Sequence, residues 1–267
     1  MKAVRIHEFG GEEVLKYEDA PIPEIQDDDL LVKVFATSVN PVDWKIREGH
    51  AKSLFPTKFP LTLGWDLAGE VTSIGTNIKN FKVGDSVYGR PSPTRNGAYA
   101  QYVAVKENEI CLKPENISFI ESATIPLVGL TAWQGLFDHG KLTPGQRVLI
   151  HAASGGVGTM AVQLAKWFNA YVIGTTSEKN KSFVKDLGAD EVIDYKNGHF
   201  DKLSGIDLVL DLIGGQTQRQ SLKVLKKGGR LITTVATEDM DTSEKEIHLE
   251  NYMAQSLEFD SKLKKNL

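Results

Sequence analysis

The sequence predicts an α/β protein: a doubly wound parallel sheet preceded by a β-rich, partly barrel-shaped domain. Three observations carry this. Val148-Leu149-Ile150-His151-Ala152-Ala153-Ser154-Gly155-Gly156-Val157-Gly158 reads as a short apolar strand, a glycine turn and the opening of a helix. From about residue 122 onward strands and helices alternate, as the crossovers of a parallel sheet require. Residues 1 to about 120 instead carry short strands separated by frequent turn signals.

A chain of 267 residues has room for two domains with a core in each. Its 41% apolar and 25% charged residues are ordinary for a globular protein. A net charge of -4 without a long basic cluster argues against a nucleic-acid surface. Cys111 is the one cysteine, which excludes an internal disulfide and a multi-cysteine metal site and suits a reducing compartment. It stands in Glu109-Ile110-Cys111-Leu112, where buried packing is a better account than catalysis. The N-terminus alternates like a strand and lacks the apolar core of a signal peptide, and no apolar run approaches membrane-spanning length. The expectation is a cytoplasmic protein.

In the first domain, set at residues 1–121, Met1 to Ile6 reads as a strand, and Leu30 to Ala36 as a largely buried one. Leu67 to Ile74 is another strand, ending in the turn Gly75-Thr76-Asn77. A turn at Gly84-Asp85 precedes the strand Ser86 to Gly89, and Tyr99 to Val105 follows a loop rich in Pro and Gly. In the second domain, set at residues 122–256, Val148 to Ile150 is the first strand. Its helix carries Val157, Met160, Ala161, Leu164, Ala165 and Phe168 on one apolar face. Tyr171 to Thr175 is the second strand, and a helix through Phe183, Val184 and Leu187 ends at Gly188. Glu191 to Asp194 and Asp207 to Asp211 are the third and fourth strands. Ser221 to Leu225 is helical up to Gly228-Gly229, and Arg230 to Val235 is the fifth strand. After the acidic loop 237–246, residues 251–256 read as a sixth strand. Phe259, Leu263 and Leu267 then begin a helix, set at residues 257–267.

The glycine turn is where chemistry enters. On the fingerprint G-x-G-x-x-G it reads Ala153-x-Gly155-x-x-Gly158, with Ala at the first position. Such a turn lets a phosphate reach the peptide N–H groups at the positive end of a helix dipole. Ser154, Gly155, Gly156, Val157 and Gly158 are therefore candidate pyrophosphate contacts; a glycine turn without a ligand is the alternative. In an NAD-specific site a carboxylate about 20 residues beyond the turn binds the ribose 2′-OH. Here that position is near Thr175, followed by Thr176, Ser177, Lys179 and Lys181, although Glu178 stands among them. Hydroxyls and lysines suit a 2′-phosphate, so NADPH is expected rather than NADH.

Five ordered phrases carry a resemblance: Ser38-Val39-Asn40-Pro41-Val42-Asp43, Gly64-Trp65-Asp66-Leu67-Ala68-Gly69-Glu70-Val71, Val83-Gly84-Asp85, Gly129-Leu130-Thr131-Ala132 and Ala152 to Gly158. Together they resemble the medium-chain dehydrogenase/reductase superfamily, in its zinc-independent quinone oxidoreductase and enone reductase branch. The resemblance implies a GroES-like first domain and a Rossmann second domain. It also implies Ser177, Lys181 and Tyr195 as contacts of the NADPH 2′-phosphate. Gly214, beyond the fourth strand, and Val235, at the end of the fifth, complete the expected cofactor set. A homodimer formed by edge pairing of the sixth strand is implied too.

Zinc-dependent relatives have Cys where this chain has Asn40 and His where it has Trp65, and neither residue here is a usual zinc ligand. The six histidines show no paired ligand spacing. Metal-free hydride transfer to a quinone or an α,β-unsaturated carbonyl is therefore expected, with a hydrogen-bond donor or cation for the developing enolate. The resemblance puts Asn40 near the nicotinamide and the substrate carbonyl, and Thr131 against the nicotinamide. The alternatives are a turn residue before Pro41 and a helix-start residue. Lys45, where several quinone reductases carry tyrosine, offers a cation, or is a solvated lysine; a second nearby tyrosine is replaced by Ala51. Relatives continue beyond 267 with strands that return to the first domain. A non-catalytic NADPH-binding protein is the competing function, favoured by that shorter tail, while Asn40 and Thr131 favour the reductase.

Overall fold

In the computed structural model the chain divides into two compact units, Met1–Leu127 and Val128–Gln255, so the division falls after 127 rather than after 121. The structure describes all residues except 56, 238–239, 241, 244 and 255–267. The helix expected at 257–267 and the last two residues of the expected sixth strand lie outside the described residues.

The first unit is built on antiparallel pairs. β1 (Lys2–Ile6), β2 (Lys16–Asp19), β3 (Asp29–Ala36), α1 (Pro41–Arg47), β4 (Leu61–Thr62), β5 (Leu67–Ile74), β6 (Ser86–Gly89), β7 (Tyr102–Lys106), β8 (Ile110–Leu112) and α2 (Phe119–Ala123) follow in order. They form a three-stranded sheet, β2-β1-β4, and a five-stranded sheet, β7-β3-β5-β6-β8. Leu30, Val32, Leu67, Val71, Val87, Val103, Val105 and Ile110 pack as the core of the larger sheet. A second cluster gathers Ile6, Ile46, Leu61, Leu63 and Trp65, which fixes α1 against β1 and β4. Each such fully buried aliphatic side chain contributes about 1.5–3 kcal/mol.

Two expectations shift here. β3 buries one face only: Leu30 and Val32 are enclosed, whereas Phe35 is 47% exposed. Alternation along a pleated strand outweighs the continuous apolar run. The strand expected from Tyr99 starts at Tyr102, because Tyr99 turns its hydroxyl to Asp43 at 2.7 Å.

α3 (Pro126–Trp133) runs on into a π-helical segment, Gln134–His139. β9 (Arg147–Ile150), α4 (Gly156–Trp167), β10 (Tyr171–Thr176), α5 (Lys181–Asp186), β11 (Glu191–Asp194), β12 (Ile206–Asp211), α6 (Gly215–Val224), β13 (Leu225–Thr233) and β14 (His248–Asn251) make up the rest of the second unit. The six strands pair in parallel in the order β11-β10-β9-β12-β13-β14. This order reverses direction at β9, the point at which doubly wound sheets bind ligands. α4 buries Ala161, Val162 and Ala165 in the core with Val148, Ile150 and Val172. Val157, Met160, Leu164 and Phe168 flank it half-buried, so the predicted apolar face is the one that packs. Among the described residues no helix is long and apolar enough to cross a membrane.

The helix expected through Leu225 closes at Val224. Leu225 is buried and pairs with Ile206 of β12, and the next paired residue of β13 is Arg230, opposite Leu208. The intervening residues form a bulge that local sequence reads as a helix end. Lys245 secures the junction by donating to the carbonyls of Lys223 at 2.6 Å and Leu225 at 3.0 Å. The sixth strand is displaced as well: β14 is His248–Asn251, not 251–256. Tyr252 leaves the strand because its ring stacks on His139 and its hydroxyl donates to the Thr131 carbonyl at 2.5 Å.

Candidate functional site

β9 carries the chain to the carboxyl edge of the second unit's sheet, where Ala152 turns it in the left-handed region, with φ 50°. The Ala152 carbonyl accepts from Gly155 N–H at 2.9 Å and closes the turn. α4 then starts from Gly155 with no side-chain cap. Among the described residues nothing in the chain accepts from the N–H groups of Gly156, Val157 and Gly158. Gly155 and Gly156 are exposed. Gly158 is buried against the turn: a Cβ there would overlap the Ala152 carbonyl and stand 2.7 Å from Ala153 Cα. Free donors at a positive helix end, with a close backbone approach behind them, form a cradle for a pyrophosphate. The residues present fit the diphosphate of a nicotinamide dinucleotide.

The end of β10 forms the neighbouring part of the site. Ser154 Oγ lies 2.7 Å from Thr176 Oγ1, and Asn180 Nδ2 donates to Ser154 Oγ at 3.2 Å. Tyr195 N–H donates to the Thr176 carbonyl at 3.0 Å, and the Tyr195 ring stands exposed. Ser177 is half-buried, and Lys181 Nζ sits 3.3 Å from Glu178 Oε2 on a largely exposed carboxylate. Ser154, Ser177, Lys181 and Tyr195 thus meet at the ends of β9, β10 and β11. Thr175 faces the other way. Its hydroxyl is buried against His151 Nδ1 at 3.0 Å, on the opposite face of β10 from the Thr176 hydroxyl that meets Ser154.

His151 explains why. Ser221 Oγ donates to the Thr217 carbonyl at 2.7 Å, which leaves it an acceptor for His151 Nε2 at 2.9 Å. A neutral imidazole with its proton on Nε2 then accepts the Thr175 hydroxyl at Nδ1. Burial drives the His151 pKa down to about 4, opposed by the charge of Asp211. Asp211 organises the next turn: its Oδ1 accepts from Ile213 and Gly214 N–H, each at 3.0 Å. Its Oδ2 accepts from Gln218 Nε2 at 2.9 Å and Thr233 Oγ1 at 3.0 Å. Gly214, at φ 82°, opens α6 beside Val235, whose methyl lies 2.8 Å from where a Cβ would be. Gly214 and Val235 are thereby brought together at the same sheet edge. Thr131 is buried on α3, its carbonyl taken by Tyr252.

In the first unit Asn40 caps α1. Its N–H donates to Asp43 Oδ2 at 2.6 Å, and its side-chain Nδ2 reaches Ser38 Oγ at 2.9 Å and Asp66 Oδ2 at 2.7 Å. Asn40 is therefore a cap before Pro41, as its turn-residue alternative has it, and also a member of a polar cluster. Asp66 is fully buried; Ser38 donates to its Oδ2 at 2.5 Å and Leu127 N–H to its Oδ1 at 2.8 Å. Burial raises its carboxyl to about 6, against the lowering by Ser38, Asn40, Leu127 and the charge of Arg90. Burial likewise raises Asp43 and lowers the buried Arg90 guanidinium, although three carboxylates, Asp66, Glu109 and Asp43, act to raise it. Lys45 is exposed on α1, its Nζ 5.8 Å above the Trp44 ring. Among the described residues no three His, Cys, Asp or Glu side chains are grouped to hold a metal ion.

Sequence reasoning passed over Ser38, Asp66, Asn180, His151 and Asp211. Asp66 carried a signal, a carboxylate set inside the apolar run Leu63 to Ala68. Asn180 and His151 had none, since their partners lie 24 or more residues along the chain.

The alcohol dehydrogenase GroES-like domain model matches residues 26–115, and the zinc-binding dehydrogenase model matches residues 156–259. The NAD(P)H oxidoreductase RTN4IP1 of Danio rerio, a mitochondrial protein, is 37% identical over 259 residues, 88% of this chain and 67% of its own length. A chloroplastic quinone-oxidoreductase homolog of Spinacia oleracea is 46% identical over 192 residues, 70% of this chain and 58% of its own. The chain thus spans about two thirds or less of these curated relatives. Among solved structures, the quinone oxidoreductase of Coxiella burnetii has a TM-score of 0.86 and 36% identity, covering 96% of this chain and 83% of that one. The Escherichia coli quinone oxidoreductase complexed with NADPH has a TM-score of 0.85 and 26% identity, covering 96% and 82%.

Proposed function

Since the chain belongs to the medium-chain dehydrogenase/reductase superfamily, among its quinone oxidoreductases, we propose that it is an NADPH-dependent reductase of quinones or α,β-unsaturated carbonyls that works without zinc. The observation that carries this is the uncapped start of α4 beside the cluster of Ser154, Thr176 and Asn180 at the end of β10. NADPH, when bound, supplies a hydride. The N–H groups of Gly156, Val157 and Gly158 hold its pyrophosphate, with Ser154, Gly155, Gly214 and Val235 lining the same edge. Thr176, Ser177, Lys181 and Tyr195 take the 2′-phosphate, for which Lys181 exchanges its exposed partner Glu178. The 2′-phosphate preference is supported by the absence of any carboxylate on Thr175, Thr176 and Ser177.

Thr131 orients the nicotinamide, and Asn40 positions the substrate carbonyl. Lys45 offers its exposed ammonium to the developing enolate. Asn40 and Trp65, at the zinc-ligand positions of the metal-dependent relatives, support hydride transfer without a Lewis acid. A reducing, cytoplasmic setting accords with the sole, buried Cys111, and a homodimer paired along the edge strand β14 belongs to the same reading.

The test is a titration of the purified protein with NADPH and with NADH, followed by cofactor oxidation with one quinone and one enal. NADPH binding at least tenfold tighter than NADH, with turnover of either acceptor, is the expected result. Binding of NADPH without turnover would return the protein to a non-catalytic NADPH-binding role. Binding of neither dinucleotide would overturn the reading.

A further inference from the structure

Resting on the reading that a substrate carbonyl is reduced beside Asn40, we propose that Ser38, rather than Asn40, delivers the proton that completes the reduction, and that Asp66 supplies that proton through Ser38. The argument is a count of hydrogens. Asn40 has two amide hydrogens, and Nδ2 faces two acceptors within reach, Ser38 Oγ at 2.9 Å and Asp66 Oδ2 at 2.7 Å. Those two acceptors stand only 2.5 Å apart, so one amide hydrogen serves both and the other is left to hold the substrate oxygen. An amide keeps its hydrogens, so Asn40 positions an enolate without protonating it. Ser38 Oγ accepts from the amide and shares its own hydrogen with Asp66 Oδ2.

That short line has two fillings. With Asp66 ionised, the Ser38 hydrogen points at the carboxylate. With Asp66 protonated, the carboxyl hydrogen occupies the line and the Ser38 hydrogen is released to another acceptor. Ser38 is half-buried, whereas Asp66 is enclosed, so of the two Ser38 is the one open to a ligand. The surroundings keep the protonated filling within reach of neutral pH. Burial brings the Asp66 carboxyl to about 6, while Arg90, the cation that would favour the carboxylate, also serves Asp43 and Glu109. Tyr99 faces Asp43 and Asp66 from β7's side of the cluster and adds no charge while its phenol is protonated, which burial reinforces.

The step balances as follows for an enone. The β-carbon gains a hydride, and the displaced π pair moves through the conjugated system to the carbonyl oxygen. That oxygen forms an O–H bond as the Ser38 Oγ–H bond breaks. Ser38 Oγ regains a hydrogen from Asp66, and once product leaves, the resulting carboxylate is reprotonated from solvent through the half-buried Ser38. The acceptor is reduced by two electrons and the nicotinamide is oxidised by two.

Two measurements test this. Without cofactor, the infrared band of a protonated carboxyl is titrated from about pH 5 to about pH 8 and assigned by its loss in Asp66→Asn. A midpoint near 6 is expected, and in Ser38→Ala it moves upward, because that hydroxyl favours the carboxylate. With NADPH and an enal, Ser38→Ala should lower kcat by about 100-fold or more and remove the solvent deuterium isotope effect, leaving the NADPH Kd unchanged. Ser38→Thr, which restores the hydroxyl, should recover most of kcat. A Ser38→Ala protein that keeps both kcat and the isotope effect overturns the proposal, as does a carboxyl band that Ser38→Ala leaves in place. A wild-type protein that binds NADPH yet reduces no acceptor overturns the reductase reading and the delivery step with it. The infrared titration then still reports whether Ser38 and Asp66 share a proton.

Discussion

Gly158→Ala is the sharpest perturbation of the cradle. The added Cβ would stand 2.7 Å from Ala153 Cα and 2.8 Å from Ala153 C, both backbone atoms, and would overlap the Ala152 carbonyl. Ordinary contact begins at 3.4 Å, so α4 must retreat from the turn by at least 0.7 Å (3.4 − 2.7). Overpacking of this kind costs about 1–3 kcal/mol, of which about 1 kcal/mol is returned because Ala favours a helix interior over Gly. Net stability should fall by at most about 2 kcal/mol, a Tm shift of roughly 4–8 °C for a chain of this size. Binding should suffer more than folding. The retreat carries the Gly156, Val157 and Gly158 N–H groups away from the pyrophosphate, and losing one charge-assisted hydrogen bond costs about 1.5–3 kcal/mol. NADPH Kd should therefore rise about 10- to 100-fold. Gly155→Ala serves as the contrast, because its Cβ meets only the Ala152 carbonyl at 3.2 Å and the fold should hardly respond. Thermal unfolding followed by fluorescence titration with NADPH reads both quantities. A Gly158→Ala protein with the wild-type Kd would refute the assignment of the cradle to the start of α4.

Ser177→Asp puts a carboxylate where the 2′-phosphate is expected, so NADPH affinity should fall about 10- to 100-fold while NADH affinity holds, as parallel titrations would show. His151 gives a pH signature. Its folded pKa, near 4, lies below the ordinary 6.5, so the unfolded chain binds the extra proton and stability is lost as pH falls from 6.5 toward 4, by about 3 kcal/mol at full extent. Unfolding of wild type and His151→Asn, followed in urea across that range, should therefore converge at the acid end; a constant difference would show that His151 is charged in the fold. Tyr99→Phe removes the 2.7 Å hydrogen bond to buried Asp43 and should cost about 1–3 kcal/mol in the same assay. Lys45→Ala, on an exposed side chain, should leave stability within about 0.5 kcal/mol, so any loss of kcat with an enal reports its chemistry alone.

Sequence alone was enough for the succession of strands and helices along the second unit and for the turn at Ala152 to Gly158, while their order in the sheet came from the fold. These features are local: apolar runs, helical spacing and glycines act over a few residues. It misread the stretches where a distant contact outvotes a local one. Leu225 is drawn into β13 by Ile206 and held there by Lys245, and Tyr252 is drawn out of the sixth strand by Thr131 and His139. The tertiary structure alone decided where the hydrogens of the candidate site go. Asn40 reads as a free donor until Asp66, 26 residues away, ties its amide into a buried cluster. Thr175 reads as a ribose contact until His151, 24 residues back, turns its hydroxyl inward. The physical reason is the same in both. A buried polar atom must find a partner, and the partner is chosen by the fold, from whichever segment packs beside it.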